Sequence, residues 1–201
     1  MTEGRFGDWE QAKEVLAKLG ERAEGAMRKA LLTEANLFRK EIVEGITAQA
    51  PGGEAYKPLS PLTLALRQLA GFRGTKALVR HGDLRNGISV VEKEDEVFVG
   101  VLRTARPKDG AALVDIAALN ETGTRHPIVV PVTEKVRRLF LALFLQGLTK
   151  APLAKETRVL VYTIPARPFL SPVWKKLAPG AKARFAHSIA ESLSSKEARR
   201  C

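Results

Sequence analysis

Cysteine is nearly missing from this sequence: Cys201, the last residue, stands alone, so no internal disulfide can form. A chain without disulfides suits a reducing compartment. Histidine is almost as scarce, and His81, His126 and His187 are scattered, with no Cys-x-x-Cys to join them into a metal-ligand cluster. Long apolar runs are lacking too. The longest, residues 139–145, falls far short of the ~20 residues that span a bilayer. Residues 1–8 are polar and do not form the apolar stretch of a signal peptide, so a soluble protein with no membrane partner is expected. The glycines at 71, 74 and 82 do not have the spacing of a phosphate loop or a dinucleotide fingerprint. Ser60 and Ser89 have no neighbouring base and no elbow motif. His81 and Asp83 would share a face of an extended chain, an arrangement commoner in turn capping than in acid–base work. These absences leave no residue to nominate as catalytic, cofactor-binding or metal-binding, and a non-enzyme is expected.

What is present is apolar and basic. With 45% hydrophobic residues the 201-residue chain can bury a core, although aromatics at 6% leave most of the packing to aliphatic side chains. The composition divides it into a long N-terminal helix over residues 1–50, a core over 51–178 and a helical tail over 179–201. The net charge is +11, yet residues 1–50 carry 8 basic and 9 acidic side chains. The excess falls in residues 57–85, 103–158 and 175–200, each about +5, with no dense basic run. Diffuse basicity of this kind is either a solvated surface or a face for phosphate or an acidic partner. No helix-turn-helix or zinc finger accompanies it, so the nucleic-acid reading is one of non-specific contact, as with genomic DNA.

The chain is organised around a hairpin. Residues 88–91 and 97–101 are short apolar runs, and Glu92-Lys-Glu-Asp-Glu96 between them must turn in solvent. As a cation site that acidic cluster lacks alternating ligand spacing. Upstream, Trp9, Ala12, Leu16, Leu19, Ala23, Met27, Ala30, Phe38, Ile42 and Ile46 recur at three- and four-residue steps. That stripe predicts one long helix, or two in tandem with a break near Gly20 and Gly25, ended by Pro51-Gly-Gly. Ser60-Pro61 caps a short helix with Leu62, Leu66 and Leu69 on one face. Downstream, residues 103–110 read as a mobile loop, 114–121 as a short helix, 127–131 as extended, and 158–164 as a sheet strand. Thr133 caps a helix over 134–146 that is apolar all round at residues 139–145, and Gly147 stops it. Ser171-Pro172 opens the last helix, in which Phe185, Ile189 and Leu193 step by four, and residues 196–201 should fray. The fold class is therefore α+β: a small antiparallel sheet on a central hairpin, packed by the long first helix and further helices.

Several strings resemble one family. Gly53-Glu-Ala-Tyr-Lys-Pro-Leu-Ser-Pro-Leu-Thr63, Leu78-Val-Arg-His-Gly-Asp-Leu-Arg-Asn-Gly-Ile-Ser89, Val97-Phe-Val-Gly100 and Ile116-Ala-Ala-Leu-Asn-Glu-Thr-Gly123 follow the order found in the virion morphogenesis, or tail-completion, proteins of Mu-like long-tailed bacteriophages. Ile164-Pro-Ala-Arg-Pro-Phe-Leu170 is similar to that family's most recognisable string. Tyr56 stands where the family has tryptophan and Asn120 where it has histidine. The resemblance covers residues 51–170. It implies a structural virion protein, assembled in the host bacterial cytoplasm, that acts in tail completion or head–tail joining without catalytic residues. A six-fold ring at the neck, touching neck, tail-tube or tail-terminator proteins, is the form implied.

The residues offer their own support for a contact role. Pro165 and Pro168 stiffen the corner, Arg167 presents a forked donor, and Phe169 and Leu170 are apolar anchors. Two readings stand: a subunit contact, or a strand-to-helix corner packed on its own core. Phe140 and Phe144 of the apolar helix complete the set of candidate interface residues, with Arg167, Phe169 and Leu170.

Overall fold

The computed structural model describes residues 9–94, 96–106 and 112–197. The side chains of Trp9 and Ala12, the turn residue Asp95, much of the loop at 103–110 and the terminal residues 198–201 lie outside the described residues.

The first helix, α1, runs unbroken from Trp9 to Ala48, 40 residues or roughly 60 Å at 1.5 Å per residue. Gly20 and Gly25 do not break it. Nothing lies within 4 Å of where a side chain would start at either position, so neither serves a close contact. The helix buries Ala26, Ala30, Ala35, Ile42 and Ile46, whereas Leu16, Leu19 and Met27 of the same stripe remain exposed. Among the described residues, burial along the helix begins at Ala26, on the stretch of α1 that other elements pack against. A 3-10 turn, Pro51–Gly53, then reverses the chain.

Helix α2 (Pro61–Leu69) starts as its cap residues dictate, with Ser60 Oγ accepting the Thr63 N–H at 3.1 Å. Its buried residue is Ala65; of the leucines on one face, Leu62 and Leu66 are exposed and Leu69 is half-buried. A one-turn helix, α3 (Asp83–Asn86), leads into β1 (Ile88–Lys93) and β2 (Glu96–Val101). These strands form the expected antiparallel hairpin, pairing Ile88 with Val101 and Lys93 with Glu96. Arg39 of α1 donates from Nε to the Ile88 carbonyl at 2.8 Å and ties the hairpin to the helix.

Helix α4 (Leu113–Thr122) follows, then β3 (Ile128–Pro131), α5 (Glu134–Leu145) and β4 (Val159–Tyr162). The strand expected at 158–164 does not join the hairpin. It pairs antiparallel with β3 in a second two-stranded sheet, Val129 opposite Val161 and Pro131 opposite Val159. A two-stranded sheet has only edge strands, so β3 can end on a proline that donates no hydrogen bond.

The last helix, α6 (Ser171–Glu197), continues through Pro179. It lies antiparallel to α1, as its cross-links show: Lys176 pairs with Glu41 at 2.6 Å, Arg184 with Glu34 at 2.9 Å, and Arg22 reaches the Leu193 carbonyl at 3.4 Å. One core gathers Ile42 and Ile46 from α1, Leu84, Ile88 and Val101 from the hairpin region, Leu113 and Ala117 from α4, and Phe169, Val173 and Leu177 from the start of α6. The molecule is α+β, with a long first helix and a hairpin at its centre.

Candidate functional site

The corner at residues 164–171 is where sequence reasoning placed the subunit contact. Phe169 is fully buried and Arg167 is 7% exposed, the burial that the second reading, a corner packed on its own core, expects. The cause is α4. The Arg167 N–H donates to the Asn120 carbonyl at 2.7 Å, and Thr124 and Ile164 exchange backbone and side-chain bonds at 3.0 Å. Gly123 lets the two segments touch: it holds φ +70 and ψ −176, a region open essentially to glycine, and a Cβ there would lie 2.7 Å from the Ala166 nitrogen. The Arg167 side chain turns inward, donating from Nε to the Lys57 carbonyl and from Nη2 to the Pro58 carbonyl, both at 3.3 Å. Its fork thus fastens the loop before α2 to the corner.

Glu121 closes the arrangement, and sequence reasoning assigned it no role. Its carboxylate accepts the N–H groups of Phe169, Leu170 and Ser171 at 2.9, 3.2 and 2.8 Å, and the Ser171 hydroxyl as well. These donors form the start of α6, where backbone N–H groups lack helical partners and negative charge is favoured. Burial alone would raise the Glu121 carboxyl, but the bonds from Ser171, Phe169 and Leu170 outweigh it and hold the group below its usual range. Beside it the Tyr56 hydroxyl is buried with no hydrogen-bond partner among the described residues. Burial, with the Glu121 charge adding and the Arg167 charge opposing, keeps that phenol protonated far above its ordinary value.

A small cavity of about 240 Å³ lies behind the corner, lined in part by Arg67, Arg80, His81, Asp83, Asn120 and Arg167. Burial first, then the Arg80 and Arg167 charges, lower the Arg67 guanidinium from its ordinary value. Arg67 is held by the carbonyls of Gly74 and Lys76, at 3.3 and 2.8 Å. Arg80 lies 4.7 Å above the Phe72 ring. These contacts brace the loop between α2 and α3.

The other candidates lie on α5. Leu143 is fully buried and Phe140 is half-buried, whereas Phe144, Leu139, Leu141 and Leu145 are exposed, Leu145 at 74%. The same region exposes Val129 of β3 and Val159, Val161 and Tyr162 of β4. Sequence reasoning marked the helix as greasy but gave no hint that β3 and β4 would leave apolar residues uncovered as well. A second apolar surface was missed as well. A groove of about 700 Å³ runs between α1, β2 and the start of α6, lined by Leu31, Phe38, Val97, Val99, Leu170 and Trp174 among others. Leu170, the last residue of the corner motif, lines this groove. Trp174 is 62% exposed although its ring lies 5.2 Å from that of Phe38. An exposed tryptophan at the mouth of an apolar groove is an unusual surface feature.

Fold and surfaces together define a small α+β protein whose prominent features are a corner locked by hydrogen bonds and two uncovered apolar faces. The sequence model of the phage virion morphogenesis family matches residues 7–106, and over that stretch the chain is similar to this family. The matched region spans α1, α2 and the hairpin; it takes in the helix that the motif resemblance omits and ends before residues 116–123 and 164–170. Comparison with curated proteins finds no match. Comparison with solved structures finds none either.

Proposed function

We propose that this chain, whose match to the phage virion morphogenesis family points to a role in building the virion, is a structural subunit acting late in tail assembly, in tail completion or in joining head to tail, as a ring of identical copies at the neck or tail top. The family match over residues 7–106 carries this reading. Two uncovered apolar faces on different parts of the surface support the ring, because closed cyclic symmetry needs one patch to meet a different patch. The neighbours would be neck, tail-tube or tail-terminator proteins, and six copies would match the symmetry of such a tail. No catalytic residue enters the reading. A phage lacking this gene should accumulate filled heads and finished tails that fail to join, visible by electron microscopy. Normal infectious particles would refute it.

A second reading rests on the net charge of +11: a module that holds nucleic acid without sequence preference. Duplex DNA binding that weakens steeply with salt would favour it, and no binding at low salt would remove it.

A further inference from the structure

We propose that the face formed by β3, α5 and β4 on one copy docks into the groove beside Trp174 on a second copy, with its basic rim against the acidic β1–β2 turn. The inference rests on the homo-oligomer reading above and names the surfaces that would make it.

The two surfaces differ in place and in charge. Residues 124–164, which carry β3, α5 and β4, hold seven lysines and arginines against two glutamates. In the sequence, residues 92–96 of the hairpin that lines the groove include four acidic residues and one lysine, and Glu92 among them pairs with Arg28 at 3.3 Å. Glu94 and Glu96 are exposed there, as are Lys155 and Arg158 beside β4. Two β3–α5–β4 faces meeting each other would bring like charges together, whereas one such face meeting the hairpin brings opposite charges together. The second copy is therefore engaged through the groove.

Shape and chemistry agree. The groove is concave, and its lining of Leu31, Phe38, Val97, Val99, Leu170 and Trp174 is apolar. The opposing face includes one side of a short two-stranded sheet, where Val129, Val159 and Val161 are exposed together; Tyr162 shows on the other side, and Leu145 is exposed at the end of α5. Among the described residues β2 pairs only with β1, so no second strand covers its outer edge. An aromatic residue at the mouth of a groove, meeting aliphatic side chains inside a charged rim, has the anatomy of an interface core.

The test uses the full chain and two variants. One carries Leu145→Glu with Val161→Glu on the face, and the other carries Trp174→Glu in the groove. All three positions are exposed, and far-UV circular dichroism should match the unaltered chain. In analytical ultracentrifugation the unaltered chain should form oligomers, and each variant alone should sediment as a monomer. An equimolar mixture should form one-to-one dimers and stop there, since each variant keeps the surface the other has lost. Lys155→Glu with Arg158→Glu should weaken assembly by tenfold or more. Mixing that variant with Glu94→Lys and Glu96→Lys should recover it, which probes the contact without touching an apolar side chain. An unaltered chain that stays monomeric would overturn both this contact and self-assembly. Oligomers that survive in both variants, or a mixture that remains monomeric, would overturn this contact alone and leave the ring reading in place.

Discussion

Glu121 shows how one side chain can fix a corner that a local reading leaves ambiguous. Its partners at the start of α6 lie 48 to 50 residues further along the chain, so no spacing in the sequence could reveal the pairing. The Ser60 and Thr133 caps were legible because each side chain bonds a backbone N–H three residues on. Phe169 was ambiguous for a different reason: an aromatic after Pro-x-x-Pro is equally suited to a core and to a partner. Two measurements separate these roles. Glu121→Gln leaves a single acceptor oxygen for four donors and should cost about 1.5–3 kcal/mol in urea unfolding at neutral pH. The unfolded chain restores the carboxyl to its ordinary value of 4.5, above its folded value, so the unfolded state binds more protons in that window. The stability from Glu121 is therefore complete above 4.5 and is lost as pH falls through the lower folded value; the unaltered protein should lose more stability there than Glu121→Gln does. Phe169→Ala should cost about 3–5 kcal/mol, as deletion of a fully buried ring does, whereas Phe144→Ala should cost well under about 1 kcal/mol in the free chain. Equal losses at the two positions would mean that α5 is as deeply packed as the corner.

Elements were more legible than their partners. The period of α1, the charged turn of the hairpin and the stops at Gly123 and Gly147 all follow from local chemistry, and the structure has them. What local chemistry could not supply was the pairing of β4, which has the β-branched alternation of a strand but no signal of which sheet it joins. It joins β3 because α5 and its following loop return the chain to that point. Arg137 makes the return specific: its guanidinium donates to the carbonyls of Ala154, Lys155 and Thr157 at 3.0, 2.8 and 2.8 Å. A planar fork can serve three converging carbonyls in a way that a single ammonium cannot. Arg137→Met keeps the stem but removes the donors. It should leave α1 and the hairpin unchanged while amides of Val159–Tyr162 exchange several-fold faster. Unchanged exchange in β4 would show that strand pairing alone holds the loop.

At the scale of the whole molecule, cohesion is unevenly shared. The core that unites α1, the hairpin, α4 and α6 holds ten buried apolar side chains, Phe169 among them. Residues 124–164 contribute one buried hydrophobic side chain, Leu143, while eight of their large apolar residues are exposed. Apolar burial stabilises by roughly 25 cal/mol per Å² removed from water, so a region that leaves its apolar groups wet has little of its own to resist opening. The sequence showed the greasy helix but could not show this imbalance, because the same leucines read alike whether covered by their own chain or by a neighbour. Native-state hydrogen exchange on the free chain should therefore find β3, α5 and β4 opening at least tenfold more readily than the core-facing half of α1 and the hairpin. In an assembled ring the same amides should become protected, since the contact would cover that surface and oppose its local opening. If the region is already as protected in the monomer as the main core, it opens only with the whole fold, and its exposed apolar groups would need another explanation than a missing neighbour.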